Sequence, residues 1–465
     1  MQLWLEWWKI VLRLRPAFSR ARTFLWFSAA LAGMCVRNDH LGVTSLVRAM
    51  GLKQYCYDRL LDCFHSAAIN LDALTRIWLE LVLVVLKPCL YTVNGRIVLL
   101  ADGIKVAKAG RKMPAVKTLH QSSENKPRFI SGHSCQALAL AVRAASSFFA
   151  VPLACRIHDG IKEYSEDRRS MFDKLISLLH SLAVSSPLYM VADSYYAAAK
   201  IIKPLLKNNQ HLITSVRLSA VAYEKAPLPA SVRRGRRPFY AGRIKLGRFF
   251  RRPRLFLYAQ SPIYGEKKVL LQYRVFDMCW KPVGRLVRFV LVIHPTRGRK
   301  IIMSTDTSLD AMKIIEIFGI RFKIEVSFKQ AVHTLGTYAY HFWFRPMRPH
   351  RQNALNQYLN SRPEPYRSKM LRKIHAYHCF IQLGFIAQGI LQILAINCTP
   401  TVWKSFGSWI RTLRPGILPS EFVTIIALRY SLPEFLADPA QDVSLVKFIR
   451  DRIDLSRLEG LRLVA

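Results

Sequence analysis

From residue 16 to about 90 the apolar positions recur at steps of three and four, with breaks at Asn38-Asp39 and Gly51. That period belongs to amphipathic helices, so the chain opens on an all-helical region. Within it, TSLVRAMGLKQYCYDRLLDCFHS (44–66) predicts a helix, a turn at Gly51 and a second helix carrying Lys53, Gln54, Tyr57 and Arg59. The outline fits a helix-turn-helix whose second member reads DNA, and it also fits a plain packed hairpin.

At Asn94-Gly95 the period changes. RIVLLADGIKV (96–106) is a leucine-rich, β-branched run that meets an acid, Asp102, and predicts a buried strand followed by a basic turn. CQALALAVRA (135–144) and FFAVPLACRI (148–157) predict two more strands, and EDRRSMFDKLISLLHSLA (166–183) a helix. SPLYMVADSYYAAAKIIKPLLKNN (186–209) predicts a strand that ends on Asp193 and runs at once into a helix. Three strands, a helix, a strand and a helix make an α/β fold on a mixed sheet, with acids at strand ends. Strand-like runs at 211–218, 267–280, 284–295 and 299–306 predict a β-rich segment over 211–306. SLDAMKIIEIFGIRFKIEVSFKQAVHTL (308–335) predicts one helix with Ser308 as its N-cap, and the remainder reads as mostly helical.

Charge narrows the partner. Lys and Arg outnumber Asp and Glu by 70 to 29 in 465 residues, a formal charge of +41. Such an excess calls for a polyanion: nucleic acid first, an anionic membrane surface second. SVRRGRRPFYAGRIKLGRFFRRPR (231–254) holds ten Arg/Lys and no acid, and its interleaved aromatics suit phosphate contact with base stacking, although a solvated loop has the same composition. AYHCFIQLGFIAQGILQILAINCTP (376–400) is long enough to span a bilayer, yet His378, Gln382, Gln388, Gln392 and Asn397 interrupt it, which favours a buried helix and no membrane partner. The start MQLWLEWWKIVLRLRP carries Glu6 and no small-residue cleavage site, unlike a signal peptide, so a cytoplasmic location is expected. Nine cysteines without a CxxC encode neither a zinc ribbon nor a disulfide framework and read as reduced thiols.

RFKIEVSFK (321–329) places Glu325 one helical turn from Arg321 and one from Lys329. By itself this is a ladder of i,i+4 ion pairs. Beside two strand-end aspartates it supplies a third carboxylate, and carboxylates are what hold two divalent ions about 4 Å apart for phosphoryl transfer. Arg321 and Lys329 would then grip the phosphate.

The stretches VLLADGIKV, YMVADSYYA and STDTSLDAMKIIEIFGIRFKIEVSFKQAVHTLG resemble the DDE transposases of bacterial insertion sequences, in the group with a Tyr-x2-Arg-x3-Glu-x6-Lys signature. The resemblance runs over about 95–345, and LRPAFSRARTFLWFSAALAGM is similar to the front end of such proteins. It implies a ribonuclease-H-like catalytic fold, with 93–210 as its first part, 211–306 as an insertion and 307–350 completing it. The helical region 1–92 would bind DNA, and 351–465 would form a helical C-terminal region. The resemblance also implies Asp102, Asp193 and Glu325 as catalytic ligands of two Mg²⁺ ions (Mn²⁺ substituting), with Arg321 as a phosphate contact. Further DNA contacts are expected at Lys105, Lys108, Lys329, Arg233, Arg234, Arg236, Arg237, Arg251 and Arg252. The implied activity is binding of terminal inverted repeats, pairing of two ends by a homodimer, strand cleavage and strand transfer on nucleoid DNA. A base flipped onto Trp280 belongs to that scheme, against a plain core tryptophan. Two positions depart from the signature: Phe318 stands at the tyrosine place and Val332 at the lysine place. The rival readings are a DNA-binding relative with impaired catalysis and a basic membrane-associated protein.

Overall fold

The structure, a computed structural model, describes residues 2–121, 127–163, 167–227, 239–350, 354–411, 416–437 and 443–456. The chain opens with α1 (Gln2–Leu12), α2 (Ala21–Val36), α3 (Val43–Ala49), α4 (Cys56–Phe64) and α5 (Leu71–Val85). Gly51, with φ of 60°, makes the turn between α3 and α4. Helix α4 buries Cys56, Leu60, Cys63 and Phe64, a seam at four-, three- and one-residue steps, and leaves Tyr57 and Arg59 outside.

Asn94 and Gly95 both take positive φ, 48° and 72°, the two-residue turn that folds Thr92–Val93 back on the strand that follows. That strand is β1 (Arg96–Ala107), succeeded by β2 (Phe129–Ala144), β3 (Ser147–Ile157), α6 (Met171–Ser181), β4 (Leu188–Ala192), α7 (Ala199–Lys207) and β5 (His211–Val216). β2 runs antiparallel to both β1 and β3, β4 pairs parallel with β1, and β5 pairs parallel with β4. The spatial order β3-β2-β1-β4-β5 is the expected ribonuclease-H-like arrangement, with helices providing the crossovers that parallel pairs require.

The segment that follows is not a separate layer. It comprises β6 (Val221–Lys225), β7 (Tyr240–Lys245), β8 (Leu257–Gln260), β9 (Leu270–Trp280), β10 (Arg285–His294) and β11 (Gly298–Ser304). β11 pairs with β5, β10 with β11 and β9 with β10, so the core sheet simply continues outward. The boundary expected at 210 therefore moves: His211–Val216 is the fifth core strand, and its buried Leu212 and Ile213 belong with the core rather than with the basic segment after it. Trp280 is 7% exposed and packs into the core at the end of β9, which is the core-tryptophan reading.

The single helix expected over 308–335 is two, α8 (Ala311–Ile320) and α9 (Phe322–His333). They break at Arg321, where the amides of Arg321 and Ile324 reach back only three residues, to the carbonyls of Phe318 and Arg321. The N-cap is Asp310, whose carboxylate accepts the amides of Met312 and Lys313, whereas Ser308 bonds Asp306.

Helix α10 (Glu364–Asn397) is long and apolar enough to cross a membrane by length and composition, and 94% of its apolar window is buried inside the molecule. Four of the polar residues that interrupt it have partners there: His378 accepts the Ile157 amide, Gln382 donates to the Leu153 carbonyl, Gln388 to Ser327 and Gln392 to Glu421, while Asn397 is exposed at the helix end. After it come α11 (Thr399–Phe406), α12 (Glu421–Ala437) and α13 (Ser444–Arg450). The regions 1–92 and 351–465 make one helical body: Trp4 stacks on Phe435 and donates to the Leu428 carbonyl. That body grips the sheet domain through the buried guanidinium of Arg37, which bonds the Leu335 and Gly336 carbonyls just past the end of α9. All nine cysteines are free.

Candidate active site

Both aspartates sit where burial stops, but only Asp193 is at a strand end: Asp102, expected at one, lies midway along β1 opposite Ala137 of β2, because pairing with β2 carries the strand on past the apolar run. In β1 the run Ile97–Ala101 is fully buried, and from Asp102 onward the strand alternates between half-buried and exposed positions. All five residues of β4 are buried, and Asp193 is the next residue. Pairing β4 parallel to β1, with Leu100 opposite Val191, sets Asp102 level with Asp193 where β4 ends. Asp193 caps the turn that follows, its Oδ1 accepting the Tyr195 amide at 2.9 Å, and Thr214 of β5 donates to its carbonyl at 2.6 Å. The third acid arrives on α9, which buries Ile324, Ser327, Phe328 and Ala331 and is held by the Gln388 amide on Ser327. Glu325 is thereby left on the other face, with its side chain 54% exposed.

Asp102, Asp193 and Glu325 line one cavity of about 610 Å³ together with Lys105, Gln136 and Tyr196. Arg321 stands between two of the acids: Nη1 is 3.1 Å from Asp102 Oδ2, and Nη2 is 2.5 Å from Glu325 Oε1. Burial pushes the Asp102 carboxyl up to about 6; the Gly103 amide and Arg321 pull it down, while Asp193 and Glu325 push it up again. The buried Tyr196 hydroxyl is pushed upward by burial and by the same two aspartates. The donor set is the all-oxygen kind that hard divalent cations take, and the acids' mutual repulsion is what such a cation relieves, so these residues fit Mg²⁺ or Mn²⁺. As placed, no three His, Cys, Asp or Glu side chains among the described residues are close enough to hold one ion. The Arg321 guanidinium lies between Asp102 and Glu325.

The expected DNA contacts divide. Lys105 is exposed on the cavity wall, its ammonium donating to the His120 carbonyl, and Lys329 is exposed one turn past Glu325. Arg251 and Arg252 are exposed beside β7. Arg233, Arg234, Arg236 and Arg237 lie outside the described residues. Lys108 is a correction: it is 6% exposed, donates to the Tyr338 and Tyr340 carbonyls and lies 3.6 Å from the Tyr340 ring centroid, so it serves the core. Burial lowers its pKa to about 7, against two carbonyls and a π face that favour the ammonium. Lys108→Met is expected to cost about 1–3 kcal/mol in denaturant melts, because two carbonyls lose their donor, and to leave the salt dependence of DNA binding unchanged. A flattened salt dependence in that variant would return Lys108 to the DNA surface.

Two features escaped the sequence. Lys300 stands close enough to Arg321 for their charges to oppose each other, and its ammonium is 5.2 Å from the Phe318 ring centroid. Arg20, Arg22, Arg59 and Arg372 line a cavity of about 660 Å³ between the N-terminal helices and α10, with Asp62 as a lone acid. Only the fold gathers these arginines, since up to 352 positions separate them. Of the four, Arg59 stands in a sequence pattern, on the second helix of the 44–66 hairpin.

The fold thus sets two aspartates and a glutamate around one cavity. The sequence from 13 to 255 matches the family described as DDE superfamily endonuclease, and the chain belongs to that family. The matched span contains Asp102 and Asp193 and stops before Glu325. No curated protein matches the chain. A solved structure described as the cryo-EM structure of piggyBac transposase synaptic complex with hairpin DNA is similar at 11% identity and a TM-score of 0.36, covering 93% of this chain and 75% of that one.

Proposed function

We propose that this endonuclease is an insertion-sequence transposase that binds the terminal inverted repeats of its own element as a homodimer, cuts at the element ends and joins them to target DNA. The observation that carries the reading is the convergence of Asp102, Asp193 and Glu325, from two adjacent parallel strands and a distant helix, on one cavity beside Arg321. Divalent ions, Mg²⁺ or Mn²⁺, would supply activation of the nucleophile and stabilisation of the leaving oxygen. Asp102, Asp193 and Glu325 would hold them. Lys105 on the wall and Lys329 beyond Glu325 orient the phosphodiester, and the half-buried setting of Asp102 strengthens every charge interaction there. In the first step water attacks phosphorus and the bond to the 3′ oxygen breaks; in the second the freed 3′ hydroxyl attacks target phosphorus and displaces another 3′ oxygen. The location consistent with this work is the cytoplasm, on nucleoid DNA.

The test is strand cleavage of a DNA fragment carrying the gene's own flanks. Metal-dependent cuts at the element ends are expected; tight binding of those ends with no cut under any divalent ion would leave a binding-only relative. The arginine cavity adds a second check. Replacing Arg20, Arg22, Arg59 and Arg372 together with alanine is expected to flatten the slope of log K against log salt by about 3, if most of them neutralise one phosphate each. An unchanged slope would place DNA elsewhere.

A further inference from the structure

We infer that Arg321 is the internal counter-ion of the acid cluster, and that it must let go of Asp102 and Glu325 before the cluster accepts a divalent cation, a release that DNA phosphate promotes. The inference rests on the metal-dependent reading above and adds an order and a coupling to it.

The geometry argues for the exchange. One guanidinium satisfies one oxygen of each acid at 3.1 and 2.5 Å, and it is only 20% exposed, so it fills the space where a cation would touch both. It reaches them from the break between α8 and α9, a position set by the short backbone bonds on either side of it. Arg321 thus acts as a placeholder that lowers the repulsion between two acids facing one cavity. A cation entering the cluster has to replace two charge-assisted hydrogen bonds as well as dehydrate, and the cluster's affinity is reduced accordingly.

The surroundings decide where the guanidinium can go. On its other side is a small cavity whose lining includes Arg297, Lys300, Phe318 and Phe322 among mostly apolar side chains; Arg297 is already paired with Glu266 at 2.7 Å, which leaves Lys300 as the cation that opposes Arg321. A released Arg321 meets like charge there, so release is unfavourable in the protein alone. A DNA phosphate in that position is met by two cations, Lys300 and Arg321, with Arg297 engaged by Glu266, and converts the repulsive destination into an attractive one. Divalent ion and DNA therefore favour each other through one side chain with two partners, and by linkage the coupling is reciprocal. The consequence is protective: the cluster is poorly loaded, and cleavage chemistry is withheld, until DNA is in place.

The experiment uses the full chain and Mn²⁺ as the probe, its binding followed by titration calorimetry and by paramagnetic resonance of the free ion, at about pH 8 so that the acids are ionised. Arg321→Gln is expected to bind Mn²⁺ at least about fivefold more tightly than the parent in the absence of DNA, within the usual range of coupling between sites. A short duplex is expected to tighten Mn²⁺ binding to the parent and to change it little in the variant. Arg321→Lys, which keeps the charge but loses the two-pronged contact, should fall between, and thermal melts confirm that each variant is folded. Equal or weaker Mn²⁺ binding by Arg321→Gln without DNA, or a duplex effect of the same size in both proteins, would overturn the exchange. If parent and variant both fail to bind Mn²⁺ even with DNA, the carboxylates are not a metal site, and the functional reading falls along with the inference.

Discussion

Glu325→Gln is expected to reduce metal-dependent strand cleavage by about a thousandfold, roughly 4 kcal/mol of transition-state stabilisation, while duplex binding and folding stay near the parent's. The substitution keeps the shape of the side chain and removes only its charge. Folding is insensitive because Glu325 is 54% exposed and the buried face of α9 is made by Ile324, Ser327, Phe328 and Ala331. Binding is insensitive because removing an acid from so cationic a surface does not weaken its attraction for phosphate. Gel assays of nicking and of duplex retention, run side by side, separate the two effects. Cleavage that survives in the variant would remove Glu325 from the site and leave Asp102 and Asp193 in need of another partner. The outcome matters more for Glu325 than for the two aspartates, because the family match stops at residue 255 and the assignment of the third acid rests on geometry and motif resemblance.

The core strands were legible because they are nearly continuous apolar runs, and the acids because each is the first polar residue after such a run. Arg321 and Glu325 were legible as an i,i+4 pair, but the bond from Arg321 to Asp102 joins residues 219 positions apart and leaves no local pattern. The break at Arg321 was hidden for a related reason: Gly319 is the one local hint, an isolated glycine is tolerated inside a helical pattern, and the hinge is a matter of three-residue backbone bonds. His211–Val216 was assigned to the wrong side of a boundary since strand length and apolarity do not say which neighbour a strand pairs with. Lys108 misled because a lysine in a basic turn looks solvated; its carbonyl partners come from Tyr338 and Tyr340, more than two hundred residues later.

Asp102→Asn should make the chain more stable at neutral pH, even as it abolishes cleavage. In the folded chain burial holds the Asp102 carboxyl at about 6, against 3.8 for the ordinary group, so between those values the folded state binds a proton that the unfolded state releases. The stability that Asp102 contributes is therefore fully present below about pH 4 and is lost as pH rises through 6. Asparagine carries no such charge, and a shift of about two pKa units corresponds to about 2–3 kcal/mol. Denaturant melts of parent and variant in the presence of a chelator are expected to coincide near pH 4 and to diverge in favour of Asp102→Asn above pH 6. With side-chain exposures of 17% for Asp102 and 20% for Arg321, solvent screening trims the difference only modestly. A parent more stable than the variant at neutral pH would mean that the ion pair to Arg321 outweighs the cost of burial, and the site would then be a settled salt bridge, not a charged cluster waiting for a cation.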